Sequence, residues 1–94
     1  MPTIKNAFVT LAQDLAANLR FNRITLDQAY DQLDGLGYTV TDSGCFYRTF
    51  TKTDTRQKYY IHIWGTLVSM KPWVVKFTGI AWGDKDDEFD RLEM

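Results

Sequence analysis

The hydrophobic period of the chain changes once, at Tyr38, and this change constrains the fold more than any other feature. Before Tyr38, apolar residues recur every three or four positions, which is typical of amphipathic helices. After it, apolar and polar residues alternate, which is typical of strands with one solvated face. The sequence therefore predicts an α+β fold, with an N-terminal helical hairpin packed on one face of a four-stranded antiparallel sheet.

Two helices are predicted, over residues 4–20 and 26–35. The first carries a single apolar stripe along its length. Thr25 and Gln28 have the spacing of a capping box at the start of the second, and Gly37 suits a left-handed residue after its end. Because only about three loop residues, Asn22 to Ile24, lie before the Thr25 cap of the second helix, the helices should form a compact hairpin.

Four strands are predicted near residues 38–41, 45–52, 58–64 and 73–82. Residues 65–72, "GTLVSMKP", are expected to be a connection. Residues 84–94 are interpreted as an acidic tail, either frayed or forming one short helical turn. The helix stripes and strand faces together predict a core made of Phe8, Leu11, Leu15, Leu19, Leu33, Ile61, Ile63, Val75 and Phe77.

The run "KYYIHIWG", residues 58–65, shows the strand alternation most clearly, with Tyr59, Ile61 and Ile63 on its core face. An even number of loop residues between Phe50 and Tyr59 would place Phe46 and Phe50 on the same face, whereas an odd number or a bulge would reverse the assignment. Arg48 then falls on the core side, so it must either extend to an edge or lie at a bulge. On the last strand, Trp73, Val75 and Phe77 are assigned to the core face. The opposite, open face carries Tyr47, Thr49, Thr51, Tyr60, His62 and Trp64.

The sequence offers little for catalysis. Cys45 and His62 are the best pair, about one diagonal apart on the open face, but no neighbouring strand position offers a carboxylate to orient the imidazole. One cysteine and one histidine are too few for a transition-metal site, "DKDDEFD" lacks the pattern of a calcium loop, and the glycines form no phosphate-binding motif. We therefore predict no enzymatic activity, no cofactor and no metal.

Composition restricts the class of protein. A chain of 94 residues with 45% hydrophobic residues is expected to form one domain over residues 1–94. The net charge of −1 conceals a basic segment at residues 48–76 and an acidic one at residues 84–94. The single cysteine and the lack of a long apolar run favour a cytoplasmic protein without membrane association.

The open face is the candidate functional surface. Its rings offer a protein partner a large contact area, and with nearby lysines they could also stack the bases of a single-stranded nucleic acid. A third interpretation is that the acidic tail covers the face. The low isoelectric point of about 5.7 and the acidic helices favour a protein partner. The predicted partner-binding residues are Tyr47, Lys58, Tyr60, His62, Trp64 and Lys76.

The expected function is that of a small non-catalytic binding protein of the inhibitor or adaptor type, such as mobile elements encode. Single-stranded nucleic-acid binding on the same face is the alternative. The oligomeric state is left open by the sequence, and a homodimer is compatible with it.

Overall fold

The structure is a computed structural model that describes residues 3–52 and 58–94. Two helices precede five strands: α1 (Ile4–Arg20), α2 (Leu26–Gly35), β1 (Thr39–Ser43), β2 (Tyr47–Lys52), β3 (Tyr59–Met70), β4 (Trp73–Asp84) and β5 (Glu88–Glu93). The strands form one antiparallel sheet in the order β1-β2-β3-β4-β5. The predicted α+β fold with N-terminal helices is confirmed, but the sheet has five strands rather than four.

Helix α2 starts and stops where its local sequence indicates. The Thr25 side chain accepts a hydrogen bond from the Gln28 backbone N–H at 3.1 Å, and the Gln28 side chain accepts one from the Thr25 N–H at 2.9 Å. This is the predicted capping box, which satisfies two backbone donors that a helix start leaves unpaired. Gly37 follows the helix with a φ of 88°, a conformation that favours glycine.

The predicted register between β2 and β3 is confirmed. Phe50 lies opposite Ile61, and Thr49 lies opposite His62, so the two strands divide their side chains between the faces as expected. The turn "TDTRQ", residues 53–57, lies outside the described residues. Arg48 reaches the surface as predicted, and its guanidinium lies 4.4 Å from the centre of the Tyr30 ring.

The core lies between the two helices and the central strands. Most of the predicted core residues are buried, while Leu11 and Val75 are half-buried. The core also contains Phe50 and Tyr59, which the sequence assigned to the core face, and Tyr38, Ile80 and Trp82, which it did not. Ile80 and Trp82 face the core because the pairing of β3 with β4 shifts near Gly79, which moves the buried positions of β4 from odd to even numbers.

Strands β3 and β4 are both longer than predicted. The segment expected to be a connection continues β3 as far as Met70, and Lys71–Pro72, joined by a cis peptide bond, makes the turn into β4. The Gly65 N–H donates to the Phe46 carbonyl at 2.7 Å. Apart from this bond, in the part of the chain that the structure describes, residues 65–70 of β3 and 73–77 of β4 pair only with each other. We call this two-stranded extension, residues 65–77, the arm.

Two residues predicted on the core face are exposed instead. Trp73 is 53% exposed, because a groove of about 450 Å³ lies between it and Leu26 and Tyr30 of α2. Phe46 precedes β2 and is 40% exposed. Their rings stack on each other, with centroids 5.9 Å apart, so each shields part of the other from water.

The C-terminal segment forms a strand, and neither the frayed tail nor the short helical turn that the sequence predicted is present over Glu88–Glu93. Strand β5 pairs with β4, with Leu92 opposite Ile80 and Arg91 opposite Ala81. Phe89 packs against the rings of Phe8 and Tyr59, which ties the strand to the core. Among the described residues, neither helix is long and apolar enough to span a membrane.

Candidate binding face of the sheet

Four aromatic side chains share the side of the sheet opposite the helices. Tyr47 of β2 and Tyr60, His62 and Trp64 of β3 stand on this side because their strand neighbours Phe50, Ile61 and Ile63 fill the core. All four are half-buried. We call these four residues the aromatic face, and their common placement is as the sequence predicted.

Three of the rings form a continuous row. The centroids of Tyr47 and His62 are 5.4 Å apart, and those of His62 and Trp64 are 5.3 Å apart. Both distances lie in the range in which aromatic rings attract each other. The row therefore presents one connected aromatic surface.

Glycine on the neighbouring strand lets this row lie close to the sheet. Trp64 is paired with Gly79 of β4. A Cβ atom at Gly79 would overlap the indole ring, so the ring occupies the space that any other residue would fill. Trp64 is therefore held by the backbone of β4 as well as by its neighbour His62.

The imidazole of His62 is fixed by a hydrogen bond. Its Nδ1 atom lies 2.7 Å from the Thr49 hydroxyl on β2. Partial burial, followed by the positive charge of Arg91, lowers the pKa of His62 below its ordinary value. Near neutral pH the ring is therefore uncharged, and it contributes a flat surface rather than a cation.

Strand β5 borders the aromatic face with charged side chains. The Arg91 guanidinium lies 5.3 Å from the centre of the Trp64 ring. The same group donates to Glu88 at 3.0 Å and to Glu93 at 2.6 Å, and these bonds raise the pKa of Arg91. The acidic segment thus lies beside the face, in the plane of the sheet, and does not fold over it.

The two predicted lysines are placed differently. Lys76 lies on β4 opposite Thr66, and Thr66 follows Trp64 by two positions on β3. Lys76 is therefore on the same face as Trp64, and it is exposed. Lys58 precedes β3 and is six residues from Trp64, which corresponds to roughly 20 Å along an extended chain. Lys76 can therefore act with Trp64, whereas Lys58 lies at the far end of the sheet.

Sequence reasoning missed the charged border of the face. The Tyr47 hydroxyl donates to Asp42 of β1 at 3.4 Å, and Arg91 with its two glutamates comes from β5. Strand β5 was overlooked because Phe89 and Leu92, its core contacts, are three residues apart. A shift in pairing at Trp82 and Gly83 causes this spacing, and it hides the alternation that identifies a strand.

The structure does not bring Cys45 and His62 together. His62 lies opposite Thr49, and Cys45 is four residues from Thr49, or about 13 Å along an extended chain. The sequence placed this pair one diagonal apart, which is wrong because the observed register puts Thr49, and not a residue next to Cys45, opposite His62. Among residues 3–52 and 58–94, no group of three histidine, cysteine or acidic side chains is arranged to hold a metal ion.

No protein-family model, curated protein or solved structure matches the chain. Its function therefore has to be inferred from its own geometry.

Proposed function

We propose that this chain is a small non-catalytic binding protein that contacts a protein partner through its aromatic face. The observation that carries the proposal is the continuous row of Tyr47, His62 and Trp64 on the side of the sheet that the helices leave open. Tyrosine and tryptophan are the residues that most often dominate protein interfaces, because they bury much area and lose little conformational entropy.

The charges around the face favour a protein over a nucleic acid. Asp42 borders the row on the β1 side, and Glu88 and Glu93 border it on the β5 side. Phosphate groups would be repelled by these acids, while His62 adds no positive charge near neutral pH. A protein surface of mixed polarity could match both the acids and Arg91.

Single-stranded nucleic-acid binding remains the second candidate, and one observation favours it. Lys76 is exposed on the same face as Trp64, so that a base could stack on the ring while the lysine meets a phosphate. Such binding would weaken steeply with salt, whereas a contact centred on aromatic rings would not.

We propose that the protein is an inhibitor or adaptor that acts in the cytoplasm. Its small size and the separation of Cys45 from His62 among the described residues support a non-catalytic role. In this class the function consists of occupying a surface of another protein. We therefore expect that loss of binding and loss of function will follow from the same substitutions on the aromatic face.

A capture experiment with matched variants tests the proposal. The immobilised protein, the double variant Tyr60→Ala with Trp64→Ala, and the control Phe21→Ala are each incubated with nuclease-treated lysate. Phe21 is an exposed aromatic residue between the helices, so its loss removes a similar area elsewhere. A protein that binds the wild type and Phe21→Ala but not the double variant would support the proposal, since truncation of a central aromatic typically costs about 2 kcal/mol or more of binding.

Two further measurements keep the result interpretable. Circular dichroism and thermal melting establish that the double variant is folded, and Tyr47→Ala replaces it if it is not. Fluorescence anisotropy with labelled single-stranded DNA and RNA, at low and high salt, tests the second candidate. Salt-sensitive binding of an oligonucleotide that is lost in Lys76→Ala would contradict a protein partner.

A further inference from the structure

We propose that the arm is a self-association site, in which the outer edge of β4 pairs with the same edge of a second copy of this chain. Each copy would contribute residues 73–77, and the two strands would run antiparallel about a two-fold axis at Val75. The aromatic face takes no part in this contact. The proposal is thus independent of the proposed function.

The outer edge of β4 is free over a defined length. Strand β5 pairs with β4 only from Gly79 onward, and the Met94 N–H donates to the Thr78 carbonyl at 2.9 Å. Within the described residues, the five positions from Trp73 to Phe77 have β3 on one side and no strand on the other. Unpaired edge groups are a template for pairing with another strand.

The sequence of this edge favours pairing. "WVVKF" consists of aromatic and β-branched residues apart from Lys76, and it contains no proline. Its pairing with β3 contains no extra residue on β4, whereas β3 has one near Val68. A bulge protects an edge from association, so β3 is the blunted edge of the arm and β4 the open one.

The charges select one register. With the axis at Val75, Trp73 lies opposite Phe77 of the second copy and Val74 lies opposite its Lys76. An axis at Lys76 would put two lysines directly opposite each other, which is destabilising. An axis at Val74 would put Pro72 opposite Lys76, and proline has no N–H to donate. Only the register centred on Val75 pairs all five free residues without either penalty.

The ends of the paired segment are also complementary. In this register the turn at Lys71–Pro72 of each copy meets the end of β5 of the other copy, where Glu93 lies opposite Gly79. Lys71 and Lys76 are the only charged residues of the arm, and both are positive. The basic turn therefore meets an acidic strand end, which favours a second copy over an uncharged occupant.

The contact is isologous, so it closes at two copies. Pairing uses the β4 edge of both chains and leaves the bulged β3 edges outside, which opposes growth into a fibre. A five-residue strand pair is small in comparison with a standard interface of about 1,600 Å². We therefore expect a dimer that dissociates on dilution.

Sedimentation velocity over a concentration series tests the proposal. The protein carries Cys45→Ser, because the exposed thiol could otherwise form a disulfide-linked dimer. We expect the weight-average mass to rise towards that of two chains with concentration. A mass that stays at one chain up to millimolar concentration would overturn the proposal.

Variants at Val74 test the register. Val74 is 41% exposed, and in the dimer each copy places it opposite Lys76 of the other. Val74→Lys should raise the dissociation constant roughly 2- to 30-fold, because two like-charge pairs form, and Val74→Glu should lower it at low salt. The double variant Val74→Glu with Lys76→Glu should not show this lower dissociation constant. Circular dichroism establishes that each variant is folded.

The matched control lies on the other strand of the arm. Val68 on β3 is 58% exposed and takes no part in the proposed pair, so Val68→Lys should leave the dissociation constant unchanged. An equal loss of dimer affinity with Val68→Lys and Val74→Lys would overturn the proposed register.

Flotation with vesicles of phosphatidylcholine and phosphatidylserine tests whether a lipid surface, rather than a second copy, occupies the arm. Binding of the monomer to vesicles through Val74 without self-association would likewise overturn the proposal.

Discussion

The indole ring of Trp64 lies over Gly79, its partner on the adjacent strand, in space that a side chain at position 79 would otherwise fill. This contact links the aromatic face to the shift in the pairing of β4 with β3. The register of β4 against β3 shifts beside Gly79, so the same residue accommodates the ring and lies where the core-facing positions of the strand change.

Gly79→Ala should displace Trp64 and destabilise the protein. Overpacking at a close contact typically costs about 1–3 kcal/mol, and we expect a loss in this range from chemical denaturation. The near-ultraviolet circular dichroism should change as well, because the indole loses its fixed position. Gly35→Ala is the control, since no atom lies within 4 Å of a Cβ at that position near the end of α2. It should be neutral or stabilising by up to about 1 kcal/mol.

The stability of the protein should depend on pH through His62, its only histidine. The folded state lowers the pKa of this group, so the unfolded state binds more protons below about pH 6.5. The free energy of unfolding should therefore be greatest above that pH and fall as the pH drops towards the lowered pKa. His62→Gln keeps a polar group near Thr49 without a titrating ring, and its stability profile between about pH 5.5 and 7.5 should be flatter. If the free energy of unfolding of His62→Gln depended on pH as steeply as that of the wild type, the assignment of this pH dependence to His62 would be contradicted.

Truncation of a buried side chain on β3 should strongly destabilise the protein. Ile61 is completely buried between Phe50 and Trp82, its partners on β2 and β4. Ile61→Ala should lower the free energy of unfolding by about 2–5 kcal/mol in urea denaturation, because it leaves a cavity. Val68→Ala, on the exposed arm, should change it by less than about 0.5 kcal/mol. Equal losses at the two sites would mean that the arm is packed against something.

The capping box of α2 should contribute measurably. Thr25→Ala removes the acceptor of the Gln28 N–H and should cost about 1 kcal/mol. Thr10→Ala, at an exposed position inside α1, removes the same hydroxyl without a capping role and should have an effect below about 0.5 kcal/mol. Thermal denaturation of the two variants under one set of conditions gives the comparison.

The features that the sequence predicted correctly depend on local rules. The stripe of α1, the Thr25 cap and the alternation in "KYYIHIWG" are each read from neighbouring residues, and each appears in the structure. The division of the faces followed because a buried Ile61 forces His62 to the opposite side. The aromatic face was therefore accessible from the sequence alone.

The features that were missed depend on how far one element extends over another. Trp73 has the alternation of a core residue, yet α2 does not cover it and a groove remains. Strand β5 is acidic and its core contacts are irregularly spaced, so neither composition nor period identified it. Neighbouring residues cannot show the reach of a helix or the position of a bulge, and both errors have this origin.

Strands β3 and β4 both extend from the packed centre of the sheet into the arm. The hairpin that they form therefore has one part that is covered by the helices and one part that is not, and the two parts should differ in local stability. The backbone hydrogen bonds near Ile61 and Ile80 are covered by the helices, so their amides should exchange with solvent only when the whole protein unfolds. Those near the Lys71–Pro72 turn can open from the tip while the centre stays intact. Each of the two strands is continuous in secondary structure, yet the hairpin would not unfold as one cooperative unit. We expect the boundary between the stable centre and the part that opens locally to lie close to Gly65.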